Sequence, residues 1–292
     1  MSDRDQAERD RRDARRRRAR RRARRRLTAA LAVVLVAVIV VGIAASRRGS
    51  DAPPAQTAPP TIKLTFPEGL RREDMARLIE EKTSLSGREF LDATAPGPRG
   101  AALAGRARPT SLEGFLFPAT YEIGTQTTIP YLVDQQVRAY ERNVAQVDMR
   151  FARSRNLTPY DVLIIASMVE REVAAPSERP TVAGVIYNRL RLRMRLDIDA
   201  TVQYAVGEWR DLTAADLAID SPYNTRKFHG LPPGPISNPG LASLQAAAHP
   251  RASRFLYYVA REDGTGRHYF ARTLAEFAAL KAKARANAAK AP

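Results

Sequence analysis

The chain has no cysteine, and only three histidines and one tryptophan among 292 residues. The missing cysteine excludes disulfides, thiolate metal sites and a cysteine nucleophile. His229, His249 and His268 stand apart in sequence and no HExxH pairs two of them on a helix face, so a metal site has no signal. There is no GxxxxGK[ST], no GxGxxG after a strand and no GxSxG elbow, so nucleotide binding and serine-hydrolase chemistry lack theirs. No metal and no cofactor is expected. Internal repeats are absent too. What remains is the chemistry of carboxylates.

Charge is unevenly spread. Residues 1–26 carry 14 Arg against five acids, a net +9 of the chain's +17, which leaves +8 for the other 266 residues. Leu27 to Ala45 then runs 19 residues without a charge, roughly 28 Å as a helix and about one bilayer core. Arg-rich sequence ahead of such a span predicts a cytoplasmic N-terminus, with the rest of the chain extracytoplasmic. Ala44-Ala45-Ser46 followed by Arg47-Arg48 is a poor cleavage site, so the span reads as an uncleaved single-pass anchor in the cell membrane. The tail is an orientation signal with attraction to anionic lipid, and nucleic acid is not an expected partner. Residues 46–60 are a Pro/Ala linker.

With 44% hydrophobic residues, the remainder suffices for one or two packed domains. Ile62 to Phe66 alternates like a strand, Pro67-Glu68-Gly69 is a turn, and Arg71 to Lys82 is helical with Met75, Leu78 and Ile79 on one face. Ser86 to Glu89 is a capping box for a second helix. A short strand and turn is expected within 111–123, and helices over 129–147, 159–173, 180–195 and 241–248. Residues 221–240 are a long Pro/Gly loop. Strands at 255–259 and 268–270 flank a turn at 263–266, and Thr273 to Glu276 caps a terminal helix.

The segment DVLIIASMVEREVAA, 161–175, combines a core helix with two carboxylates. Thr158 is its N-cap, Pro159 its first residue and Asp161 its third. Helical spacing puts Leu163, Ser167 and Glu170 on one face and turns Glu172 away, so the two acids do not act on one bond. Apolar surroundings raise a carboxyl's pKa, to about 6 in general acids. The plainer reading is a helix-end Glu170 paired with Arg171 or Arg189.

Six stretches carry a resemblance: SLEGFLFP with Thr120-Tyr121, ASMVERE at 166–172, VIYNRL at 185–190, SPYNT at 221–225, GLPPGPISNPG at 230–240 and LYYVAREDGTGRHYF at 256–270. In this order they resemble the YceG-like family of endolytic murein transglycosylases over roughly residues 62–280. The resemblance implies an α+β fold: the transmembrane helix, a small LysM-like βαα module at 61–110 that binds glycan, and a mixed α+β catalytic domain at 111–292. It implies a lyase that cleaves the β-1,4 bond between N-acetylmuramic acid and N-acetylglucosamine, leaves 1,6-anhydro ends and terminates nascent strands beside peptidoglycan synthases. The family's catalytic glutamate falls on Glu170. Glu113, Asn188, Arg189, Thr201, Tyr223 and Asn224 are implied substrate contacts. Asp197 and Ala200 replace the family's usual Gln and Pro, and residues 226–229 are more basic than usual. Two rival readings remain: a hydrolytic muramidase with Asp197 or Asp199 activating water, and a non-enzymatic glycan-binding scaffold for synthases.

Overall fold

A computed structural model describes residues 61–108 and 110–290. The Arg-rich tail, the expected anchor at 27–45 and the linker lie outside the described residues. Among the described residues no helix is long and apolar enough to cross a membrane.

The described residues fall in one compact unit. Strand β1 (Ile62–Thr65) alternates as expected, with Leu64 and Phe66 inward and Lys63 and Thr65 outward. It pairs antiparallel with β2 (Thr120–Ile123), Ile62 opposite Ile123 and Thr65 opposite Thr120. Because β2 lies beyond residue 110, this ladder crosses the expected boundary between the small module and the catalytic part. Between the strands run α1 (Arg72–Lys82), α2 (Gly87–Ala93) and α3 (Pro98–Ala104). Met75 and Ile79 of α1 are fully buried. Of the box at α2 only half forms: Ser86 Oγ accepts from the Glu89 amide.

Helices α4 (Ile129–Val144) and α5 (Arg150–Ser154) lead to α6 (Pro159–Glu172), the centre of the molecule. Residues 162–169 of α6 are buried on every side, the mark of a helix enclosed by its neighbours. Its start is the predicted one: Thr158 Oγ1 accepts from the Asp161 amide, and Asp161 Oδ2 accepts from the Thr158 amide. A 3₁₀ turn (Pro176–Glu178) reverses the chain into α7 (Arg179–Arg191), which packs on α6.

The helix expected to reach Arg195 stops at Arg191. Arg193 takes φ +53, its amide bonds to Leu190 O, and the Met194 amide bonds to Arg189 O. This is a Schellman end with arginine in the left-handed position usually held by glycine. The apolar pattern continues through Leu192 and Met194, which hides the stop.

Helices α8 (Asp199–Val206) and α9 (Ala214–Leu217) precede the Pro/Gly loop. Helix α10 (Leu241–Ala248) packs on α6 and α7. Strands β3 (Tyr257–Ala260) and β4 (His268–Ala271) form the predicted hairpin, and α11 (Leu274–Ala288) follows its predicted Thr273 cap.

The loop 221–240 contains no regular helix or strand, yet residues 234–240 are all buried. Buried backbone needs partners, and the α6 face predicted from spacing supplies them. A Cβ on Gly114 would meet both Pro235 and Leu163 Cδ2. The Ile236 amide donates to Ser167 Oγ at 3.0 Å, and the Gly240 amide donates to Glu170 Oε2 at 3.0 Å. Ser167 and Glu170 thus bond successive parts of one strap, and Leu163 and Pro235 both crowd Gly114.

Candidate active site

The Glu170 side chain is 6% exposed, and both its oxygens are engaged. Oε2 takes the Gly240 amide, and Oε1 takes Arg179 Nη2 at 3.1 Å. Two donors thus meet the Glu170 carboxylate, and its Cγ lies beside Gly69. The partner expected from sequence was Arg171 or Arg189. It is Arg179, the first residue of α7, returned to Glu170 by the 3₁₀ turn.

Arg171 points elsewhere. Its guanidinium lies 3.9 Å from the centre of the Trp209 ring, and Arg71 sits 5.0 Å from that ring. Trp209 Nε1 donates to Asp74 Oδ2, as does Arg71 Nε. Burial works to raise the Asp74 carboxyl, but the bonds from Arg71 and Trp209 win and hold it well below the usual range.

Glu172 faces away from Glu170, as the spacing predicted. Its Oε2 accepts from Tyr258 Oη at 2.9 Å. Burial raises this carboxyl, and the Tyr258 bond opposes the rise. The two carboxylates have no partner in common.

Glu68 was read only as a turn residue, and the structure brings it to Glu170. Its Oε2 lies 3.9 Å from Arg179 Nη2. Its carboxyl fills the space beside Gly240, where an added Cβ would come within 1.8 Å of Oε1. Gly69 is at φ +82, and a Cβ there would lie 3.4 Å from Glu170 Cγ. Sequence reasoning missed Glu68, Arg179 and Gly240. The one available signal was an acid within a Pro-x-Gly turn.

Glu113 is fully buried. Oε1 accepts from Asn238 Nδ2 at 2.8 Å, and Oε2 accepts from the Arg72 amide at 3.3 Å. Burial, helped by Glu73, pushes its carboxyl up to about 8. Glu113 lines a cavity of about 610 Å³ with Tyr160, Tyr223, Arg106, Arg108 and Pro235. The sign of its pH effect is fixed. A folded pKa above the unfolded 4.5 gives stability that is complete below pH 4.5 and is lost as pH rises through about 8. Glu113→Gln removes that dependence. Between pH 5 and 9 the wild type should lose about 3 kcal/mol or more relative to the variant. Urea midpoints across this range check it, and parallel curves would refute it.

The other implied contacts make no hydrogen bond to Glu170 among the described residues, and most of their polar groups bond within the protein. Asn188 Nδ2 donates to the carbonyls of Ser253 and Phe255, and Arg189 donates to those of Leu256, Arg195 and Leu196. Thr201 Oγ1 bonds Ile198 O and Thr225 Oγ1, and Asn224 Nδ2 donates to Leu217 O and Ile219 O. Tyr223 packs on Tyr204 at the wall of the Glu113 cavity. Asp197 pairs with Arg189 and Asp199 with Arg226, so both acids of the hydrolytic reading are bound to guanidinium groups.

Residues 48–283 match the YceG-like family. The chain is 37% identical over 174 residues to the endolytic murein transglycosylase of Bacillus subtilis, covering 59% of this chain and 48% of that protein. It is 34% identical over 247 residues to the endolytic murein transglycosylase of Streptococcus pneumoniae D39, covering 76% and 44%. The chain thus spans about half the length of the curated relatives it matches. A crystal structure of a yceG-like protein from Listeria monocytogenes matches with TM-score 0.67 and 34% identity, over 77% of each chain.

Proposed function

The chain belongs to the YceG-like family, and from that membership we propose that it is an endolytic peptidoglycan lytic transglycosylase with Glu170 as acid and then base. The observation that carries this reading is the seating of Glu170. One nearly buried carboxyl stands in the last turn of α6, with a donor on each oxygen and Glu172 turned away.

A single carboxyl suffices for an intramolecular transfer. Protonated Glu170 gives its proton to the glycosidic oxygen between N-acetylmuramic acid and N-acetylglucosamine as that bond breaks and positive charge grows at the anomeric carbon. The resulting carboxylate takes the proton of the C6 hydroxyl, whose oxygen bonds to the same carbon. Water does not enter, so no second carboxylate need activate it. Arg179 and the Gly240 amide stabilise the carboxylate required in the second half.

Tyr223 and Glu113 are the two implied contacts that line one and the same cavity, and we assign them to glycan binding. Asn188, Arg189, Thr201 and Asn224 then act indirectly, by holding loops. A LysM-like glycan-binding role for 61–110 is supported by the β1–α1–α2 run. The apolar stretch at 27–45 supports a single membrane anchor with the enzyme outside the cytoplasm, beside synthases whose strands it terminates.

Mass spectrometry of purified glycan strands digested by the full-length chain tests the reading. Anhydro-muramic ends are expected. Reducing ends would replace it with the hydrolytic reading, and uncut strands with the scaffold.

A further inference from the structure

Two carboxylates face one guanidinium beside the Gly240 amide. Arg179 Nη2 is 3.1 Å from Glu170 Oε1 and 3.9 Å from Glu68 Oε2. The Glu68 side chain is 49% exposed, so Glu68 can exchange protons with solvent, which nearly buried Glu170 does far less readily. Arg179 Nε is buried and has no hydrogen-bond partner among the described residues. Its guanidinium is therefore not locked by a full set of bonds. The other charged group near Glu170 is Arg171, on α6 itself and stacked on Trp209. Helix α10 has no ionisable residue and contributes only the amide at its start.

We propose that Glu68 and Glu170 hold one proton between them, with Arg179 pairing with whichever carboxylate is charged, so that Glu68 is the positioning residue that readies Glu170 as an acid. This rests on the transglycosylase reading. Glu170 must carry a proton when glycan is bound, yet in the structure its Oε1 faces Arg179. With the proton on Glu68, Arg179 neutralises Glu170, which fits the 3.1 Å contact between Arg179 Nη2 and Glu170 Oε1. With the proton on Glu170, Glu68 must take over Arg179, or the guanidinium stays unpaired in a mostly buried place. Nη2 already lies between the two acids, so the exchange needs only a small swing. Burial and the neighbouring Glu170 charge raise the Glu68 carboxyl while Arg179 opposes them, as expected for like charges sharing a site.

The experiment is the pH dependence of anhydro-end release by full-length wild type, Glu68→Gln and Glu68→Asp. Without the Glu68 charge, Arg179 stays on Glu170 and a proton binds there only at lower pH. The alkaline limb of kcat/KM for Glu68→Gln should move down by about one unit, with an about tenfold loss at pH 7 that recovers in acid. Glu68→Asp should keep most of the wild-type limb. A residue that only fills space would lower the rate equally at every pH, and an unmoved limb overturns the proposal. Carboxyl ¹³C NMR titration of glutamate-labelled protein supplies a readout that needs no substrate. The Glu68 carboxyl should titrate higher in the wild type than in Glu170→Gln. Identical titrations refute the shared proton, whereas a wild type without anhydro ends refutes the transglycosylase reading alone.

Discussion

Glu170→Gln is expected to lower the release of anhydro ends by about 10³-fold or more, because the amide neither gives nor takes the proton and general acid–base catalysis is worth about 10²–10⁴. In the proposed mechanism the residue serves twice in one cycle, which favours the upper part of that range. The substitution keeps the shape of the side chain. Its carbonyl oxygen can still accept from Gly240 or Arg179, but its NH₂ must face the other donor. A local cost of about 1–3 kcal/mol is therefore expected. Thermal unfolding of the variant separates the two effects, since a folded but inactive protein shows the loss to be chemical. Glu172→Gln is the matched control. It changes an acid on the same helix that bonds to Tyr258 and has no partner in common with Glu170. Its activity should stay within about tenfold of wild type. Glu170→Gln cutting glycan at the wild-type rate would remove Glu170 from the mechanism.

The helix that carries this residue was legible because its signals are local. Thr158, Pro159 and Asp161 fix its start within one turn. A spacing of four and three puts Leu163, Ser167 and Glu170 on one face, and that face meets the Pro235–Gly240 strap. The hairpin and the terminal helix were legible for the same reason. The partner of Glu170 was not. Arg179 reaches it only because the 3₁₀ turn reverses the chain, and the sequence suggests Arg171 or Arg189 instead. Glu68 lies in a turn whose chemistry appears only when the strap returns Gly240 to it. Asn188 and Arg189 have partners that the sequence did not name. The family resemblance implies a binding role for them, and in the structure their donors meet the carbonyls of segments 253–256 and 195–196. No periodicity records where a distant carbonyl will stand.

Asn238→Ala is expected to cost about 3–5 kcal/mol, more than most substitutions in this chain, because one buried amide joins three segments. Asn238 is fully buried. Its Oδ1 accepts from the Leu116 amide at 2.9 Å, and its Nδ2 donates to Leu70 O at 3.0 Å and Glu113 Oε1 at 2.8 Å. Truncation strips the Leu116 amide of its partner and takes from Glu113 its shortest bond. The Leu70 carbonyl keeps the backbone amide of residue 238. The damage also reaches the site. The Asn238 carbonyl accepts from the Gly69 amide, and Gly240 lies two residues further on. The turn holding Glu68 and the amide holding Glu170 are thus fixed through the same residue. Urea unfolding should show the lost stability, and activity should fall even where the variant is still fully folded. Asn238→Asp sharpens the test, because its second oxygen meets Glu113 Oε1 instead of donating to it. Two buried acids then compete for one proton, so this variant should lose more stability at pH 8 than at pH 5. Equal losses at both pH values would mean that Asn238 holds the strap by shape rather than by the bond it gives to Glu113.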